Sequence, residues 1–241
     1  MRIAGFQSTT LLDYPGHLAC TVFTQGCNFR CPYCQNGSIV LPEFFDDIMD
    51  EEQILAKIKS RSKMFEGVCV SGGEPTNQPD LASFLAKIKD MGLLVKLDSN
   101  GSHPKVLKDL YKDGLIDMIA MDIKSSRTAY LKVCGLDPKI NSSLLEDIEE
   151  SVDFIKSSGI DYEFRTTLVK GLHDKKQIEE MAEWLEGAKA SFLQSYAEND
   201  NILSVLNNDD LQLGSFSRDE LDEFVKIVRE KIPSAALRGV D

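Results

Sequence analysis

With 241 residues, 42% of them hydrophobic, the chain can bury a sizeable core, and a single domain over 1–241 is expected. A formal net charge of −12 argues against a broad nucleic-acid or anionic-membrane surface, since both need clustered Lys and Arg. Apolar runs such as MGLLV are too short to span a bilayer, and MRIAGFQSTT lacks the apolar core of a signal peptide, so the expected location is the cytoplasm.

Strand-like and helix-like runs alternate along the chain. LACTVFTQG (18–26) is β-rich, and DEEQILAKIKSRS (50–62) has apolar residues at helical spacing behind an acidic start. GVCVSGG (67–73) reads as a buried strand and DLASFLAKIKDMG (80–92) as an amphipathic helix stopped by Gly. LLVKLDSNG (93–101) is a strand and turn, and PKVLKDLYKDG (104–114) a helix that opens on Pro and closes on Gly. The pattern continues through strand 116–125, helix 142–159, strand 162–169, helix 174–188, strand 190–197 and helix 217–232. The acidic, Asn-rich 197–212 is the segment expected to be mobile.

About six β/α units in a row imply a parallel sheet with right-handed crossovers. The expected fold is α/β, a partial (β/α)6 TIM-like barrel, with a doubly wound open sheet as the alternative. GCNFRCPYC, SGGEP, DSNG and MDIK each fall at the carboxyl end of a strand, the face where such barrels build active sites.

Cys27, Cys31 and Cys34 stand in a Cys-x₃-Cys-x₂-Cys loop, a spacing that roughly 0.4% of such chains would reach by chance. In a reducing compartment such a cluster reads as metal-binding or catalytic. Zinc would need a fourth ligand, with His17 or His103 as candidates. An iron–sulfur cluster is the other reading, because thiolates are its usual ligands, and three of them leave one iron open. Cys20, Cys69 and Cys134 show no ligand spacing and are expected to be inert and apart from the loop. His103 and His173 stand at helix starts, where capping or surface roles are expected.

The loop, with Tyr33 before its last cysteine, resembles the radical S-adenosylmethionine (radical SAM) enzymes. The resemblance implies a [4Fe–4S] cluster on Cys27, Cys31 and Cys34 and S-adenosylmethionine on the open iron. It also implies reductive cleavage to methionine and a 5′-deoxyadenosyl radical that abstracts hydrogen. On the same resemblance, Gly72, Gly73 and Glu74 of GGEP would bind the methionine amino group, two glycines permitting close approach and Glu74 accepting. Asp98, Ser99 and Asn100 of DSNG would contact that group and the ribose, with an Asx turn as the alternative. Asp122 and Lys124 of MDIK share one face of a strand, and Lys124 would pair with the methionine carboxylate. Arg165 is a further candidate, with a structural ion pair as its alternative, and Tyr33 would pack near the adenine.

GFQSTTLLDYPG followed by TQGCNFRCPYCQN is most similar to activating enzymes of glycyl-radical proteins, in particular those of anaerobic ribonucleoside-triphosphate reductase. The partners implied are that reductase and a flavodoxin- or ferredoxin-like electron donor. Gln35 stands where many of the group have His, and LQSYAENDN lacks the histidine of pyruvate formate-lyase activases. Activation of another glycyl-radical enzyme, of the pyruvate formate-lyase type, remains open. So does small-molecule chemistry, such as that of 7-carboxy-7-deazaguanine synthases.

Overall fold

The computed structural model describes residues 1–239. In chain order its elements are β1 (Ile3–Thr10), β2 (Ala19–Thr24), α1 (Gly37–Val40), α2 (Glu51–Arg61), β3 (Gly67–Gly72), α3 (Leu81–Lys89), β4 (Leu94–Ser99), α4 (Pro104–Lys112) and β5 (Met118–Asp122). They continue with α5 (Tyr130–Val133), α6 (Leu144–Ser158), β6 (Asp161–Leu168), α7 (Lys175–Trp184), β7 (Ser191–Ser195), α8 (Leu203–Leu206), α9 (Arg218–Arg229) and β8 (Ala236–Arg238).

The strands form one eight-stranded sheet in sequential order. Strands β2 to β8 pair in parallel, as the β/α alternation requires. The six expected strands are all present, β2 to β7. Two more flank them: β1 returns antiparallel onto β2, and the three-residue β8 adds to β7. Among the described residues β1 and β8 do not pair with each other, so the sheet is a partial barrel with an open side.

The central strands read as near-continuous apolar runs because helices cover the outer face. Val68, Cys69 and Val70 of β3 and Ile119, Ala120 and Met121 of β5 are fully buried. Phe84, Leu85 and Ile88 of α3 and Ile148, Val152 and Ile155 of α6 lie on buried stripes at helical spacing. Two helices begin on capping boxes, Asp174 with Gln177 on α7 and Ser217 with Glu220 on α9, which fixes where each crossover enters the outer layer. Among the described residues no helix is long and apolar enough to cross a membrane.

Candidate active site

The cysteine loop leaves the carboxyl end of β2 and borders a cavity of about 370 Å³. Cys27, Cys31 and Cys34 all line that cavity. The loop is held by its neighbours' backbone. Gly73 N–H donates to the Thr24 carbonyl at 2.9 Å, Glu74 N–H to that of Gly26 at 2.8 Å, and Asn36 Nδ2 to that of Gly72 at 3.0 Å. A Cβ on Gly73 would lie 2.1 Å from the Gly26 oxygen, and one on Gly72, whose φ is +116°, 2.3 Å from the Thr24 nitrogen. The two glycines are thus required by the close approach of β3 to the cysteine loop itself.

Glu74 is 1% exposed, and its carboxylate is spent inside the protein. Oε1 accepts from Thr76 N–H at 3.0 Å, from the Thr76 hydroxyl and from Ser99 Oγ at 2.9 Å, while Oε2 accepts from Asn100 N–H at 2.7 Å. Burial raises its pKa, and these bonds oppose the rise. The sequence reading made Glu74 a ligand acceptor; it lines the cavity, and its carboxylate also ties GGEP to DSNG. Asn100 Nδ2 in turn donates to Asn28 Oδ1 at 2.9 Å and sits 3.9 Å from the Cys27 sulfur.

The floor is a chain of alternating charges. Asp98 receives Ser71 Oγ at 2.9 Å, Arg165 Nη1 at 3.1 Å and the buried Lys96 ammonium. Arg165 also reaches Asp122 at 3.0 Å, and Asp122 holds Lys124 at 3.0 Å. Burial alone would raise the Asp122 carboxyl; the Arg165 guanidinium and Lys124 outweigh it and hold it at about 2. Lys124 and Arg165 lose charge stability by burial, but their acidic partners raise both well above their ordinary values. The face shared by Asp122 and Lys124 is thereby observed, and Arg165 is in an ion pair, its expected alternative.

Tyr33 lines the cavity at 5% exposure, edge-on to the His173 ring, and its buried hydroxyl has no hydrogen-bond partner among the described residues. His173 is not a surface residue. Its Nε2–H donates to the Lys124 carbonyl at 2.8 Å and its Nδ1 accepts from Val169 N–H at 3.0 Å, so it fastens the loop carrying Lys124. Burial lowers its pKa and keeps it neutral in that tautomer. His103 pairs with Ser102 Oγ at 2.8 Å and caps nothing by its side chain. His17 pairs with Glu66 at the amino ends of the strands, away from the cysteines. Among the described residues no three His, Cys, Asp or Glu side chains converge as ligands of one metal ion.

Two further expectations are corrected. Cys20 and Cys69 stay inside β2 and β3, but Cys134 does not stay apart: its thiol lies beside the Cys31 sulfur. The Cys134 carbonyl accepts from Arg30 N–H at 2.9 Å, and Gly135 leaves no room for a side chain against the Arg30 oxygen. Cys134 nevertheless does not line the cavity. The neighbouring Cys134 thiol and the Lys124 charge hold Cys31 below the usual thiol range against burial, whereas burial pushes Cys27 up to about 12 and Cys34 to about 11. Segment 197–212, expected to be mobile, is instead stitched to the cysteine loop: Leu203 N–H donates to the Cys34 carbonyl and Ser204 N–H to that of Pro32, both at 2.9 Å. Sequence reasoning also missed Asp13, Thr167 and Gln194, which line the cavity from three separate parts of the chain.

The comparisons with known proteins decide the family. The family model described as the Radical SAM superfamily matches residues 21–185. The chain belongs to the radical SAM superfamily. It is a radical SAM enzyme, and membership implies an iron–sulfur cluster and S-adenosylmethionine. A Methanocaldococcus jannaschii protein named as a candidate glycyl-radical enzyme activating enzyme is 28% identical over 99% of this chain and 96% of its own length. The pyruvate formate-lyase-activating enzyme of Clostridium pasteurianum is 28% identical over 73% of this chain and 72% of its own. The GTP 3′,8-cyclase of Helicobacter pylori is 32% identical over 71% of this chain, but only 51% of the cyclase is matched. Among solved structures, a radical SAM methyltransferase from Sphaerobacter thermophilus superposes with a TM-score of 0.68 at 17% identity, over 93% of this chain and 67% of that one. Streptococcus suis SuiB bound to S-adenosylmethionine gives 0.67 at 13% identity, over 89% of this chain and 48% of that one. These two likenesses are of fold.

Proposed function

We propose that this radical SAM enzyme activates a glycyl-radical protein, with Cys27, Cys31 and Cys34 holding a [4Fe–4S] cluster and S-adenosylmethionine bound in the part of the cavity beside them. The observation that carries the reading is the end-to-end match to the M. jannaschii activating-enzyme relative, against the half-length match to the cyclase. The donor set suits the cluster: three sulfurs line one cavity whose remaining wall is open to a ligand. The partnerless Tyr33 hydroxyl and the Gly72–Gly73 backbone suit the adenosine and amino groups of the cofactor, and Lys124, with Arg165 behind it, suits its carboxylate. Asp98, Ser99, Asn100 and Asp122 position those groups, and Glu74 does so through its four internal bonds. Bound there, the pair supplies one-electron cleavage to methionine and a 5′-deoxyadenosyl radical that removes a hydrogen atom from a substrate carbon.

The stretch GFQSTTLLDYPG supports anaerobic ribonucleoside-triphosphate reductase as the partner, and a flavodoxin- or ferredoxin-like protein as electron donor. The cyclase likeness favours a second reading, a nucleotide substrate. Charge opposes it. Asp13, Glu74, Asp98 and Asp122 line the cavity against Lys124 and Arg165, and both cations are already paired with Asp98 and Asp122. A triphosphate would meet a lining of four carboxylates against two cations, whereas the single carboxylate of S-adenosylmethionine needs only Lys124. The test mixes reduced, reconstituted enzyme with S-adenosylmethionine and the candidate reductase and records electron paramagnetic resonance. A glycyl-radical doublet that disappears when the partner's glycine is replaced by Ala supports the reading. Absence of a partner radical, with label from GTP appearing in 5′-deoxyadenosine, overturns it.

A further inference from the structure

We propose that Gln194 and Thr167 form a substrate subsite that grips a peptide unit beside the reacting glycine; this rests on the activase reading above. The two residues are register partners on neighbouring strands β6 and β7, and both face the cavity. Both are half-buried, and neither side chain makes a hydrogen bond within the described residues. That sets them apart. Among the described residues lining the cavity, every other polar or charged side chain except Tyr33 is already bonded within the chain: Ser71 to Asp98, Ser99 to Glu74, Asn36 to Gly72, Asp13 to Thr21. Their donors and acceptors therefore stand in the cavity free of protein partners, where a ligand can take them.

Their chemistry narrows the ligand. A carboxamide offers one acceptor and two donors, which match the N–H and C=O of a peptide unit, and the Thr167 hydroxyl adds a third point. Neither carries charge, so the pair selects no ion. Their place also fits. Gln194 is in register with Arg238 of β8, the last strand before the open side of the sheet. From that edge inward, the strand residues lining the cavity run from Gln194 on β7 to Thr167 and Arg165 on β6. Two hydrogen bonds to the peptide there would set the distance of the glycine Cα from the radical carbon, where small misplacement costs rate steeply.

The test uses reconstituted holoenzyme with the candidate reductase, comparing wild type with Gln194→Met and, separately, Thr167→Val, both close in volume to the native residue. Expected is an increase of about tenfold in KM for the reductase in Gln194→Met, a smaller one in Thr167→Val, and fewer glycyl radicals per 5′-deoxyadenosine. The dissociation constant for S-adenosylmethionine, measured by equilibrium dialysis, is expected to stay within about twofold of wild type. Two results overturn the subsite: unchanged KM and radical yield in both variants, or cofactor affinity falling by the same factor as reductase affinity. Wild-type enzyme that cleaves S-adenosylmethionine but leaves no radical on the reductase instead overturns the activase reading, and the subsite with it.

Discussion

Asn201 Nδ2 donates to the Gln35 carbonyl at 2.9 Å, joining two residues 166 apart in the chain. The same side chain accepts from Ser38 N–H at 2.9 Å, and its backbone carbonyl accepts from Gly37 N–H at 3.0 Å. One residue thus closes the backbone immediately after Cys34. Gly37 is needed for this, since a Cβ there would lie 2.7 Å from the Asn201 oxygen.

Asn201→Ala removes both side-chain bonds and leaves Ser38 N–H and the Gln35 carbonyl to water. The expected loss of stability is about 1–3 kcal/mol, two hydrogen bonds at about 0.5–1.5 kcal/mol net each. Reconstituted protein is expected to release iron to a chelator faster than wild type. Iron retention equal to wild type, with unchanged melting, would remove the buttress role.

Gly73→Ala probes the other side of the cysteine loop. Its methyl would meet the Gly26 oxygen at 2.1 Å, and that oxygen already accepts from Glu74 N–H, so the backbone must move. Overpacking of this kind costs about 1–3 kcal/mol. The variant is expected to melt lower and to bind less than a full complement of iron, because the displaced residue is the neighbour of Cys27. Full iron loading would show that the loop tolerates displacement.

These contacts mark what could be read from the chain. Strands β2 to β7 were legible because their apolar runs are fully covered, and the cysteine spacing is itself a chemical signal. Strand β1 was not: Gln7, Ser8 and Thr9 face water at the sheet edge, so the segment carries no apolar alternation. The three-residue β8 is too short to have a pattern. Segment 197–212 has a loop's composition, but Asn201 uses its amide to satisfy another loop, and Ile202 and Leu203 are buried beneath it. Asp13, Thr167 and Gln194 have no motif, because strand pairing and the curvature of the sheet bring them together from three separate parts of the chain. Glu74 was legible as a conspicuous residue but not as an internal tie, since its partners Ser99 and Asn100 lie on the next strand.

The charge chain on the cavity floor predicts an acid response. Asp122 sits at about 2 when folded, below the ordinary value of about 3.9. A depressed carboxyl contributes stability that is present above the unfolded value and lost as pH falls toward the folded one. Asp122→Asn is therefore expected to be less stable than wild type at neutral pH. The deficit should be about 1.5–3 kcal/mol, the range for hydrogen bonds to charged groups, because a third of the side chain remains exposed. Between about pH 4 and pH 2 the gap should close, as wild type loses what the variant never had. Urea unfolding of the metal-free protein across that window checks it; a gap independent of pH would assign the loss to packing.

The contact between Cys31 and Cys134 separates a ligand from its support. Both lie on the cysteine-loop side of the sheet, but only Cys31 lines the cavity. If three loop sulfurs hold the cluster, Cys31→Ala removes a ligand, and 5′-deoxyadenosine production is expected to vanish. Cys134→Ala removes only a thiol beside the Cys31 sulfur, one placed to donate to it once that sulfur is a thiolate, so iron and sulfide per chain are expected to match wild type. Hydrogen bonds to ligand sulfur stabilise the more negative, reduced cluster and so raise its potential. Loss of the Cys134 donor is therefore expected to move the reduction potential down while the spectrum keeps its shape. Redox titration followed by electron paramagnetic resonance reads both at once. Iron lost from Cys134→Ala to the same extent as from Cys31→Ala would make Cys134 a ligand and sink the three-cysteine assignment. A potential unchanged in Cys134→Ala would mean that the hydrogen bond does not persist once iron is bound to Cys31.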